Sequence, residues 1–184
     1  MDENAIHEAG HAVVATLLHL KVSYSRMPSL NIRGGTVVER MPDANPPCFV
    51  RLRDGTLRQS TEDEAEDASR KARRWDIRNQ IICLGAGPGA QQILFPERSW
   101  VVCWESNHLD GDQGRIEALL LEHSPDSTRE MRDALKYELV SRAAELVIRN
   151  FGAIYSVAKA LEEIRYLSGP EIKWLVENSR VKTK

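Results

Sequence analysis

Near the start of the chain, the run AIHEAGHAVV places two histidines and a glutamate at a spacing that suits metal-assisted hydrolysis. His7 and His11 are four residues apart, so on a helix both imidazoles lie on one face and can reach one ion. Glu8 follows the first histidine by one residue, which swings it to the side of that axis, within reach of a water that the ion holds. Zinc lowers the pKa of such a water toward about 7 and polarises a peptide carbonyl. Glu8 can then act as general base, and amide hydrolysis needs no covalent intermediate.

Catalytic zinc takes three protein ligands and keeps a fourth position for water or substrate. The third ligand must come from downstream, because no histidine or glutamate follows at the short metzincin spacing. By chemistry alone His108, Asp110, Asp112 and His123 all qualify, and the cluster NHLDGDQGRIEALL, which holds the first three, stands out.

The elements that position these groups can be read from periodicity and caps. Asp2 can cap a helix over about residues 3 to 20, with Ile6, Val13, Val14, Leu17 and Leu18 on its apolar face. Residues 21 to 41 alternate apolar residues with Pro28, Gly34 and Gly35, which predicts short strands in a small sheet. Residues 42 to 60 carry three prolines and an Asp54-Gly55 turn signal, so a loop or hairpin insertion is expected there. From Thr61, TEDEAEDASRKARRWDIRNQ runs acidic to basic, the order a helix dipole favours. Pro88 should break or kink any helix that continues through LGAGPGAQQILFP. Trp100 to Trp104 reads as a short buried strand or core segment. Helices are then expected over about 111 to 123, 127 to 149, 152 to 166, and from Gly169 to about Asn178. The class is mainly α (α+β), in one domain over residues 1 to 184.

Bulk composition bounds the rest. The 184 residues are 42% apolar, enough for one sizeable core. Twenty-five basic and 27 acidic residues leave a formal charge of -2, so no long-range field favours nucleic acid or an anionic membrane. No apolar run approaches the roughly 20 residues of a membrane span. Cys48, Cys83 and Cys103 are odd in number and widely spaced, which predicts a reduced, cytoplasmic chain without a cysteine-based metal site. Trp75, Trp100, Trp104 and Trp174 read as core residues, and His19 as a helix-end histidine.

Together these residues bring a family into view. HEAGHAVV resembles the zinc-binding helix of the FtsH-type ATP-dependent membrane proteases. ICLGAGPGAQQILF resembles that family's glycine-rich segment beside the metal, with Gly85, Gly87, Gly89 and Ala90 at the small positions, although its arginine and two glutamates are replaced. HLDGDQGRIEALL resembles the segment whose aspartate is the third zinc ligand. VAKALEEIRYLSGPEIKWL resembles the closing helix pair, with Leu167, Ser168 and Gly169 on its turn.

The resemblance implies an FtsH-peptidase-like helical domain holding one zinc per chain through His7, His11 and Asp112. Asp110 is a candidate to support a ligand imidazole, or else a solvated turn residue. His108 and His123 then read as surface histidines, Cys83 and Cys103 as core thiols. The family's substrate-pairing edge strand falls at IRGGTVVER, on Gly35, Thr36, Val37 and Val38. These 184 residues contain no Walker phosphate loop, so the expected activity is ATP-independent cleavage of unfolded or flexible polypeptides. The alternatives are an inactive FtsH-like binding or regulatory module, or a peptidase subunit that works with a separate ATPase or adaptor. The segment between the Asp112 helix and the last helices is shorter than the family's, which puts assembly into a hexameric ring in question and leaves homo-oligomerisation open. No group for stabilising the oxyanion stands out in the sequence.

Overall fold

The computed structural model describes residues 1–29, 34–39, 49–51, 56–97 and 111–179. Among them are six helices, a three-stranded sheet and a separate two-stranded pair, as the mainly α reading requires.

α1 (Glu3–Leu17) begins where Asp2 accepts a hydrogen bond from the Asn4 backbone at 2.7 Å, and Glu3 adds negative charge to its first turn. Ile6, Val13 and Val14 are fully buried on its inner face. The helix ends at Leu17, short of the expected 20, and His19, with a φ of 57°, turns the chain into the sheet.

β1 (Lys21–Arg26) lies between β2 (Gly35–Glu39) and β5 (Tyr166–Ser168), and both pairings are antiparallel. Ser25 faces Thr36 in one ladder and Leu167 in the other. β2 therefore forms an edge of this sheet. β3 (Phe49–Arg51) and β4 (Leu57–Gln59) pair separately, as expected for a hairpin; the Asp54-Gly55 signal lies outside the described residues.

α2 (Glu62–Leu94) starts with a reciprocal capping box: Thr61 caps the Glu64 backbone while the Glu64 carboxylate accepts from the Thr61 backbone. It then runs unbroken for 33 residues, which corrects the expected break at Pro88. Proline removes one backbone donor and crowds the carbonyl four residues earlier, but Pro88 is buried and its flanks are held from outside. Gly10 of α1 packs so closely on the Ala86 carbonyl that a Cβ there would lie 2.5 Å from its oxygen.

α3 (Asp112–His123), α4 (Arg129–Arg149), α5 (Phe151–Ile164) and α6 (Gly169–Ser179) follow. The helix expected over 152 to 166 ends two residues earlier. Arg165 takes a left-handed conformation (φ 67°), its carbonyl accepts from the Met27 backbone at 3.0 Å, and the next three residues become β5. One apolar cluster joins all six helices, with Ile6, Ile77, Ile116, Leu139, Ile154 and Ile172 inside it.

The tryptophan expectation fails where it can be checked. Trp75 is 47% exposed and Trp174 63% exposed, because both stand on outward helix faces while the isoleucines beside them, Ile77 and Ile172, turn inward. Trp100, Trp104, Cys48 and Cys103 lie outside the described residues. Cys83 is a buried free thiol, as expected.

Candidate metal centre

His7 and His11 project from one face of α1, as their spacing requires, and the first residue of α3, Asp112, meets them. The two Nε2 atoms are 2.9 Å apart. Asp112 Oδ2 lies 3.0 Å from His7 Nε2 and 3.1 Å from His11 Nε2. This group lies close enough to hold a metal ion. A tetrahedral site with bonds of about 2.0–2.1 Å separates its ligand atoms by roughly 3.3 Å, so the triangle fits after opening by a few tenths of an ångström.

Each imidazole has its other nitrogen committed. His7 Nδ1 donates to Gln91 Oε1 at 3.0 Å, and Gln91 Nε2 donates to the Glu3 carbonyl at 3.3 Å, which sets the amide's orientation. His11 Nδ1 donates to the Cys83 carbonyl at 2.8 Å. Both Nε2 lone pairs are thereby turned toward the shared point, the arrangement in which histidines bind metals.

The space for the two rings comes from Gly87. A Cβ there would lie 2.5 Å from His11 Nε2 and 2.9 Å from His7 Cε1, so any side chain would displace the imidazoles.

Glu8 points to the adjacent side. Thr36 Oγ1, on β2, lies 2.9 Å from Glu8 Oε2 and 3.0 Å from the Glu8 carbonyl oxygen. Its single proton serves Glu8, and the buried Ser25 hydroxyl, 2.9 Å away, donates to Thr36 in turn. A hydroxyl relay from the middle strand thus sets the carboxylate's position.

Electrostatics bind the triad together. Burial pushes the His11 pKa down, but the Asp112 charge and the hydrogen bonds to Asp112 and Cys83 outweigh it and hold the imidazole well above its ordinary value. Burial likewise works against the Asp112 carboxylate, and the two imidazoles overcome it and hold its pKa well below the usual range. The same geometry therefore holds either a proton or a cation, and the two compete.

The site opens into a cleft of about 1110 Å3. Gly35, Thr36, Val37 and Val38 of β2 line it, as do Asp112, Arg115 and Leu119 of α3 and Cys83 and Leu84 of α2. The expected edge strand thus borders the cleft together with the triad.

Asp110 and His108 lie outside the described residues. His123 is at the far end of α3, where its Nδ1 is 2.7 Å from Ser124 Oγ, and it takes no part in the cluster. Sequence reasoning missed Gln91, Thr36 as a partner of Glu8, and the steric role of Gly87. The available signal for Gln91 was a polar pair, Gln91 and Gln92, inside an otherwise small and apolar segment.

Compared with known protein families and with curated proteins, the chain matches no family model and no curated sequence.

Proposed function

We propose that the chain is a zinc-dependent endopeptidase of FtsH-like type, which hydrolyses peptide bonds in unfolded or flexible polypeptides. The observation that carries this reading is the convergence of His7, His11 and Asp112, with Glu8 beside them on the wall of a cleft bounded by an edge strand.

His7 and His11, through Nε2, and Asp112, through a carboxylate oxygen, would hold the ion. When bound, zinc supplies Lewis acidity, making a water easier to deprotonate and a carbonyl easier to attack.

The chain's own residues do the rest. Gln91 and the Cys83 carbonyl keep the imidazoles in the binding tautomer. Glu8, steadied by Thr36, takes the proton of the attacking water at its carboxylate and passes it to the leaving amine. The outer edge of β2 pairs with an extended substrate through main-chain hydrogen bonds, which gives affinity with broad sequence tolerance. Such pairing requires an extended chain, so folded substrates are excluded.

Glu8→Gln tests the reading. The variant should keep its metal, measured by elemental analysis, while casein cleavage falls by about 10²- to 10⁴-fold. Unimpaired cleavage by Glu8→Gln would sink the assignment, and bound metal without any cleavage by the wild type would indicate a binding module.

A further inference from the structure

Among the described residues, the cleft contains one cation with no counterpart, Arg115. On α3, Asp112, Arg115, Leu119 and Glu122 recur at three- and four-residue steps, so one helix face lines the cleft. Arg115 stands one turn beyond Asp112, about 4.5 Å along the helix axis.

The carboxylates that share this cleft are already engaged. Asp112 faces two imidazoles, Glu8 accepts from Thr36, and Glu122 accepts from Arg73 Nε at 2.9 Å. Arg26 lies over the Tyr24 ring. Among the described residues nothing forms a hydrogen bond or ion pair with Arg115, which is exposed to solvent. Beside it Leu84, Ala118 and Leu119 give the cleft an apolar lining.

A guanidinium carries five donors in a planar fork that matches a carboxylate bidentately. Resting on the proposed peptidase reading, we propose that Arg115 is a specificity-determining residue that binds a carboxylate of the substrate. The cleft is thereby directed toward peptides with an acidic group close to the scissile bond. The apolar lining takes the aliphatic stem of that residue. The carboxylate comes from an acidic side chain or from a free C-terminus, since the chemistry of recognition is the same.

The test uses the full chain loaded with zinc and short fluorogenic peptides that differ only in Glu against Gln beside the cleaved bond, each with a free or an amidated C-terminus. The expected kcat/KM ratio of carboxylate to neutral peptide is about 10- to 100-fold in the wild type, falling toward unity in Arg115→Ala and partly restored in Arg115→Lys. Arg115→Glu should invert the preference toward a lysine-bearing peptide. Dependence on Glu alone assigns the side chain as the source, and dependence on the free terminus alone assigns the C-terminus. A wild type indifferent to both changes, or a ratio that survives in Arg115→Ala, overturns the proposal. If no peptide is cleaved, the hydrolase reading fails separately, and fluorescence anisotropy of peptide binding decides. A carboxylate preference lost in Arg115→Ala upholds Arg115, and equal binding of all peptides overturns it.

Discussion

The two halves of α2 hold their helical form by different means. The first half is written locally: a capping box at Thr61 and Glu64, then Glu66–Arg70 and Asp67–Lys71 pairs four residues apart on a solvated face. The second half carries Gly85, Gly87, Pro88 and Gly89, residues of poor helix propensity, and is buried. Neighbouring helices hold it instead, with α1 against Ala86 and Gly87 and α4 against Gly85. Local propensity is poor where the His7 and His11 rings need room, and tertiary packing makes good the loss.

That contrast predicts how each half fails. The largest effect should come from Gly87→Ala, whose methyl group enters the volume of both imidazoles. It should destabilise the fold by about 1–3 kcal/mol, and zinc affinity, measured by competition with a chelator, should fall at least tenfold. An unchanged affinity would mean that α2 can retreat from α1, and the two halves would then differ less than the structure implies.

Next in size, Gln91→Ala removes the acceptor that orients His7. Zinc affinity should fall about 10- to 100-fold with little change in thermal stability. A loss of stability without loss of affinity would make Gln91 a packing residue rather than a positioning one.

The smallest effect belongs to the local half. Thr61→Ala should cost about 1 kcal/mol, or roughly 2–4 °C in Tm, and leave metal affinity untouched. The hydrogen bonds from Arg58, then from the Thr61 backbone, bring the Glu64 pKa to about 2 from 4.5. A depressed carboxylate stabilises the fold above its unfolded pKa, so this contribution is present above pH 4.5 and is lost as pH falls toward 2. Glu64→Gln should flatten that part of the acid denaturation curve.

The same division explains what could be read in advance. α1, the facing pair His7 and His11 and the helix beginning at Asp112 were legible because caps, periodicity and four-residue spacing are local signals. The continuity of α2 through Pro88 was not, since it depends on Gly10 meeting Ala86 across 76 residues of sequence. β5 was hidden for a similar reason. Three residues carry no strand periodicity, and only the left-handed turn at Arg165 delivers them to the edge of β1. Trp75 and Trp174 misled because ring size argues for burial, whereas helix phase turned them outward. Asp112 came from resemblance rather than spacing, and the fold brings its carboxylate to within 3.1 Å of both imidazoles, while Asp110 lies outside the described residues.

The most direct test is a zinc titration of the wild type and of Asp112→Ala, with proton release followed at several pH values. The account predicts one ion per wild-type chain, affinity that weakens as pH falls because the ion must displace the proton His11 holds, and a loss of at least tenfold in Asp112→Ala. No binding, or binding indifferent to Asp112→Ala, would contradict it.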